Sequence, residues 1–261
     1  MSKHEKVTCI IQARTRSERL PNKVLKEIEN LPMICHIINR VKKAKNIDQI
    51  ILATSNTDTD KILLDIAKKF KIIGFAGDEK DVLDRFYNAA IMYAANPIVR
   101  ITGDCPLVDP ILLDKTVEFY QANDYDYMSN TIERTFPDGV DIEIFSSEVL
   151  KISNKEAKWL SEREHVTPYI RKSGNFKIVN VENDTNISEL RLTVDRIEDI
   201  KLIKEILNNI STRPIYLENV LELFSRKPEL IKINNHINHN EGFNKSLKED
   251  QEFIKKRENS H

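Results

Sequence analysis

Four cations fall within ten residues of the stretch "IIQARTRSERLPNKVL" (10–25): Arg14, Arg16, Arg19 and Lys23. A guanidinium presents a planar fork to phosphate oxygens and an ammonium presents a compact charge, so such a cluster suits a polyphosphate. A solvated basic loop is the plain alternative. In "RITGDCPLVDP" (100–110) a strand-like run ends at Thr102, and Gly103 precedes Asp104. In "LRLTVDRIEDI" (190–200) Asp195 likewise ends a β-branched run ahead of a helical pattern. A carboxylate repels phosphate unless a divalent cation lies between them, and Mg²⁺ is usually held by one or two carboxylates plus phosphate oxygens. Asp109, directly before Pro110, reads mainly as a helix N-cap. Together the cations, Asp104 and Asp195 suit metal-assisted transfer of a nucleotidyl group.

These residues need elements that bring them to one edge. "VTCIIQA" (7–13), "QIILATS" (49–55), "KIIGFAG" (71–77) and "PIVRITGD" (97–104) are continuously apolar, as central parallel strands are. Between them, 60–70 and 81–95 place apolar residues at helical spacing. Strand–helix alternation predicts a three-layer α/β/α sandwich with a mostly parallel mixed sheet, in which ligands sit beyond the carboxyl ends of the strands. Further on, "DYDYMSN" and "GVDIEIFSS" read as strands. "KEAKWLSEREHVTPYIRK" reads as one helix interrupted near Pro168. "FKIVNV" and "LRLTVD" read as strands again, and "IEDIKLIKEILNNI" as a helix. No linker or repeat is visible. The economical division is one domain over 1–227 and a polar extension over 228–261, whose end "KKRENSH" is expected to be mobile.

With 40 basic and 41 acidic residues, the chain carries no net charge that would draw it to nucleic acid or a membrane surface. No apolar run is long enough to span a membrane. The N-terminus passes from charge directly into a strand-like run, without the look of a secretory signal. Three cysteines without metal-ligand spacing are expected to be reduced thiols in a cytoplasmic protein. With six glycines, neither a GxGxxG fingerprint nor a Walker loop is present.

The stretches 10–25, "GDEKDVLDRFYNAA" (77–90), 100–110 and 191–200 resemble, in order, the cytidylyltransferases that make CMP-activated acidic sugars. These include the acylneuraminate and 3-deoxy-manno-octulosonate enzymes, and the likeness is nearest to the branch of spore-coat polysaccharide biosynthesis protein F. It spans about 5–210 and continues weakly into "EGFNKSLKED". The resemblance implies a nucleotide-diphospho-sugar transferase fold, a homodimer built from the segment after 125, and CTP and a small acidic sugar-like acceptor as substrates. It places Arg14 and Lys23 on the triphosphate, with Arg19 also in the nucleotide site, and Gln12 and Ala13 near base or ribose. It gives Asp104 and Asp195 to Mg²⁺. It sets Arg85 near the nucleotide, against the alternative of a solvent-facing helix arginine. Arg16 and Arg19 would steer the nucleotide in or close over it.

Acceptor contacts are sought in "RTFPDGVDIEIF" (Arg134, Asp138, Asp141, Glu143), whose Pro–Asp–Gly turn is also an ordinary hairpin signal. They are also sought in "SEREHVTPYI" (Arg163, Glu164, His165), where Ser161 and Glu164 have capping-box spacing. These segments read differently from those of the sialic-acid enzymes, so the acceptor stays open, down to other small hydroxy compounds. Two other functions remain. A glycosyltransferase of the same fold would use a metal-binding Asp-x-Asp, for which Asp124 and Asp126 have the spacing. An inactive nucleotide-binding protein would be expected to have lost one of the four key residues.

Overall fold

The computed structural model describes residues 6–238 and 241–258, so the last residues of "KKRENSH" lie outside the described residues. β1 (Thr8–Gln12) leads through the cationic loop to a short hairpin, β2 (Glu27–Ile28) and β3 (Leu31–Pro32), and then α1 (Met33–Val41). There follow β4 (Gln49–Ser55), α2 (Lys61–Lys69), β5 (Ile73–Gly77), α3 (Val82–Met92), β6 (Ile98–Thr102) and α4 (Pro110–Ala122). The second half holds β7 (Tyr127–Ser129), β8 (Glu143–Phe145), α5 (Ser147–Glu156), α6 (Leu160–His165), α7 (Pro168–Lys172) and β9 (Ile178–Asn180). It closes with α8 (Ile197–Asn209), α9 (Leu217–Arg226) and α10 (Glu241–Glu258).

The main sheet runs β5-β4-β1-β6-β8-β7-β9, and only β8 is antiparallel to its neighbours. Each apolar strand feeds two cores. Cys9 and Ile11 of β1 face one core, shared with α1, α4 and α8, while Ile10 faces the other, shared with α3 and α5. Burial on both faces is why these strands lack hydrophobic alternation. This is the three-layer, mostly parallel arrangement expected.

The structure departs from expectation in two places. "LRLTVD" is extended and buried but is not a strand of the sheet. The Leu192 and Thr193 amides donate to the Asp138 carbonyl (2.6 and 2.9 Å) and the Val194 amide donates to that of Asp104 (2.9 Å), so its partners are loops. Gly139 permits this crossing, because it sits at φ +110° and a Cβ there would lie 2.3 Å from the Thr193 nitrogen. The helical pattern from 155 to 172 is not one helix. α5 starts earlier, capped by Ser146, and ends before Ala157. The chain restarts where Glu162 accepts the Lys158 and Trp159 amides (2.8 and 3.0 Å). It breaks again at Val166 (φ 71°) ahead of Pro168. The cap is therefore Glu162, and the Ser161–Glu164 spacing is incidental.

Candidate active site

β1 and β6 are adjacent and parallel, with Gln12 level with Thr102, so the cationic loop and Asp104 leave the sheet at the same edge. A Cβ at residue 103 would stand 2.8 Å from the Gln12 carbonyl oxygen, so Gly103 allows the two exits to run side by side. The Val194 amide, bonded to the Asp104 carbonyl, sets the next residue, Asp195, into the same crevice. Lys23 Nζ donates to Asp104 Oδ2 at 2.8 Å and to Asp195 Oδ1 at 2.7 Å. Arg19 pairs with Asp195 at 2.7 Å, and Thr102 Oγ1 donates to Asp104 at 2.5 Å. Burial would raise the Asp104 carboxyl, but facing Lys23 holds it well below the usual carboxylate range. Burial would lower the Lys23 ammonium, but Asp104 and Asp195 outweigh it and raise it. Lys23, expected on phosphate, lies between the two aspartates at the wall of a cavity described below.

That convergence also tests the donor set for a metal. One oxygen of each aspartate lies within 2.8 Å of a single cationic atom. Two hard carboxylate oxygens aimed at one point fit Mg²⁺, with further ligands drawn from phosphate and water. Among the described residues, no group of three or more His, Cys, Asp or Glu side chains is arranged to hold a metal by itself.

On one side of this cluster a cavity of about 420 Å³ is lined by Gln12, Ala13, Arg14, Arg19, Lys23 and Arg85, among others. Arg85 is 1% exposed, so the solvent-facing alternative is excluded. Among the described residues its Nε and Nη1 have no hydrogen-bond partner, and burial lowers it to about 10. A buried guanidinium with two nitrogens unbonded at a cavity wall is costly, and an anion would relieve it. Arg14 meets Glu164 at 3.4 Å, and Arg16 meets Glu79 at the surface. The loop is fixed by Asp60, which accepts the Thr15 amide and hydroxyl (2.8 and 2.5 Å) as well as Ser55 and Thr54 hydroxyls.

On the other side lies a cavity of about 430 Å³, which shares Arg19, Arg100, Thr102, Asp104 and His165 with the first. Arg134, Asp138, Asp141, Glu143 and His165 line it. Arg134 forks onto Asp141 at 2.6 and 2.9 Å. Glu143 is buried against Arg100, Arg171 (3.0 Å), Tyr127 (2.6 Å) and Thr167 (2.6 Å), and these partners hold it at about 2 against the raising effect of burial. Gln12 spends its side-chain oxygen on Arg100 (3.1 Å). Glu164 lines the first cavity rather than this one, and Arg163 is turned away onto Asp81 at 2.6 Å.

Several residues here escaped the sequence reading. Arg100 had a signal, a charge inside an apolar strand run, and Arg191, buried on Asp138 and Asp199, had the same one. α10 had none. Its Phe243 faces the second cavity, while Lys245 and Ser246 face the first. Asp124 and Asp126 both engage Lys177, at the amino end of β7 and so at the opposite end of the sheet. They are not part of this site.

A family model described as cytidylyltransferase matches residues 8–231. The chain belongs to the cytidylyltransferase family. It is 33% identical to the spore coat polysaccharide biosynthesis protein of Bacillus subtilis over 84% of this chain and 94% of that protein. It is 37% identical to an uncharacterized protein of Methanocaldococcus jannaschii, over 89% and 96% of the two chains. A solved cytidylyltransferase from Leptospira borgpetersenii superposes with a TM-score of 0.84 at 32% identity, covering 87% of this chain and 97% of that one. As a member of this family the chain is a nucleotidyltransferase, an activity that suits a cavity lined by arginines beside a pair of carboxylates.

Proposed function

We propose that the protein transfers CMP from CTP to an acidic sugar, or a related small hydroxy compound, and releases pyrophosphate, in a cytoplasmic route to cell-surface polysaccharide. The observation that carries this reading is the Lys23–Asp104–Asp195 cluster standing where two cavities of similar size meet. One cavity offers Arg14, Arg19 and Arg85 to phosphates, and Gln12 and Ala13 to base or ribose. The other offers Arg134, Asp141 and Glu143 to the acceptor, with His165 lining both cavities and Glu164 lining the first. The acceptor oxygen attacks the α-phosphorus in line while the charge on departing pyrophosphate is met by Arg14 and Lys23. Asp104 and Asp195 would hold Mg²⁺, which when bound supplies a bivalent charge against the reacting phosphoryl group. The three unpaired cysteines support the cytoplasmic setting. The family resemblance supports a homodimer through about 125–172, and 1–227 as the transferase domain, with 228–261 adding α10 to the site.

The test is pyrophosphate release with each NTP, Mg²⁺ and a panel of acidic sugars and small hydroxy acids. Release with CTP alone among the nucleotides is expected. Hydrolysis of a sugar nucleotide without pyrophosphate would favour a glycosyltransferase instead. Asp104→Asn should abolish turnover with an unchanged circular dichroism spectrum, and full activity in that variant would sink the site assignment.

A further inference from the structure

α6 and α10 meet beside the shared wall of the two cavities, and there His165 Nε2 lies 2.9 Å from Ser246 Oγ. The same Oγ is 2.9 Å from Glu164 Oε2 and 3.2 Å from the Gly242 carbonyl. Both of the latter are acceptors only, and a serine hydroxyl has one proton to give. That proton goes to the carboxylate, the charged and closer acceptor. Ser246 then accepts from His165, which puts the imidazole proton on Nε2 and leaves Nδ1 with its lone pair. Nδ1 has no hydrogen-bond partner among the described residues. Phe243 packs edge-on against the ring, with centroids 5.2 Å apart, so the imidazole is held by both a hydrogen bond and an aromatic wall.

We propose that His165 is the general base of the transfer, and that Ser246, backed by Glu164, is the residue that positions it. This rests on the nucleotidyl-transfer reading above. His165 lines both cavities, so it stands where an acceptor hydroxyl would face the α-phosphorus. The acceptor O–H gives its proton to Nδ1, the new O–P bond forms, and the bond from the α-phosphorus to pyrophosphate breaks. The imidazolium is stabilised through Ser246 by Glu164, 3.9 Å from Nε2, and loses its proton to solvent when product leaves. The charged groups around the ring are Glu164 on α6, Arg14 from the cationic loop, Arg100 on β6 and Glu143 on β8, with Lys172 of α7 reaching over Phe243. Burial is the largest influence and lowers the group, which leaves the ring unprotonated near neutral pH, with a lone pair free to take a proton.

The first measurement needs no substrate. In ¹⁵N-histidine-labelled full-length protein, His165 is expected to be neutral at pH 7 with its proton on Nε2, and Ser246→Ala should blur that tautomer preference. A proton fixed on Nδ1, or an imidazolium at pH 7, would overturn the proposal. The second uses CTP with 3-deoxy-manno-octulosonate, N-acetylneuraminate and small hydroxy acids, taking the fastest acceptor. His165→Gln should lower kcat by about 10²–10⁴-fold with KM for CTP within about threefold, and remove the acid limb of the pH–rate profile. Ser246→Ala should lower kcat by about tenfold and move that limb. Wild-type kcat and an intact acid limb in His165→Gln would overturn the base. If no acceptor releases pyrophosphate with the wild type, the transfer reading fails, while the tautomer measurement still decides the hydrogen-bond chain.

Discussion

Single residues in this protein carry opposing demands. Two nitrogens of the buried Arg85 have no hydrogen-bond partner among the described residues, so it costs the folded state stability, about 1–3 kcal/mol for an unsatisfied donor and more for a charged one. Arg85→Met should therefore raise the melting temperature of the free protein while weakening CTP binding by tenfold or more, read by calorimetry on the same sample. A melting temperature that falls would show that the guanidinium is satisfied without ligand. Glu143 is the converse case, a buried carboxylate with several donors, held at about 2 against an ordinary 4.5. Its stabilisation is complete above about 4.5 and is lost as pH falls toward 2, an acid-side loss of roughly 3 kcal/mol. Glu143→Gln leaves Arg100 and Arg171 without their counter-charge and should cost about 3–5 kcal/mol near neutral pH in urea unfolding.

At the scale of elements, what mattered was which ends were capped and which loops were anchored. Asp109 accepts the Ile111 and Leu112 amides at the start of α4 and also the Leu217 amide at the start of α9 (2.6 Å). Asp109→Ala should lower stability by about 1–3 kcal/mol in urea unfolding and leave kcat unchanged, since it touches neither cavity. The capping role was legible in "DP" because Pro lacks the amide an N1 position leaves unpaired. The second start it caps was not legible, since it is 108 residues away. The same limit explains the misread helix. Apolar spacing continues through 155–172, but the break is made by Glu162 taking backbone amides, a competition that periodicity does not record.

At the scale of the molecule, both cavities are completed by the C-terminal segment. Lys245 bridges to Glu18 in the cationic loop at 2.5 Å, and Glu241 to Arg196 at 2.7 Å. α10 thus ties the loop after β1 to the start of α8. CTP should slow amide hydrogen exchange across 243–250, where a nucleotide bound in the first cavity would meet the helix. Unchanged exchange on saturation with CTP would show that α10 takes no part in nucleotide binding.

The sequence by itself determined the parallel core and the sheet edge at which the candidate site residues gather. Continuous apolar strands must be buried on both faces, and parallel neighbours must deliver their carboxyl-terminal loops to one side. It also marked Arg14, Lys23, Asp104 and Asp195, because charges at strand ends are not explained by packing. Only the tertiary structure decided that Lys23 lies between the aspartates, that Arg85 is buried, and that α10 closes the site. The Lys23 pairs and the α10 contact join residues more than 80 positions apart, set by the folded geometry and carried by no local spacing.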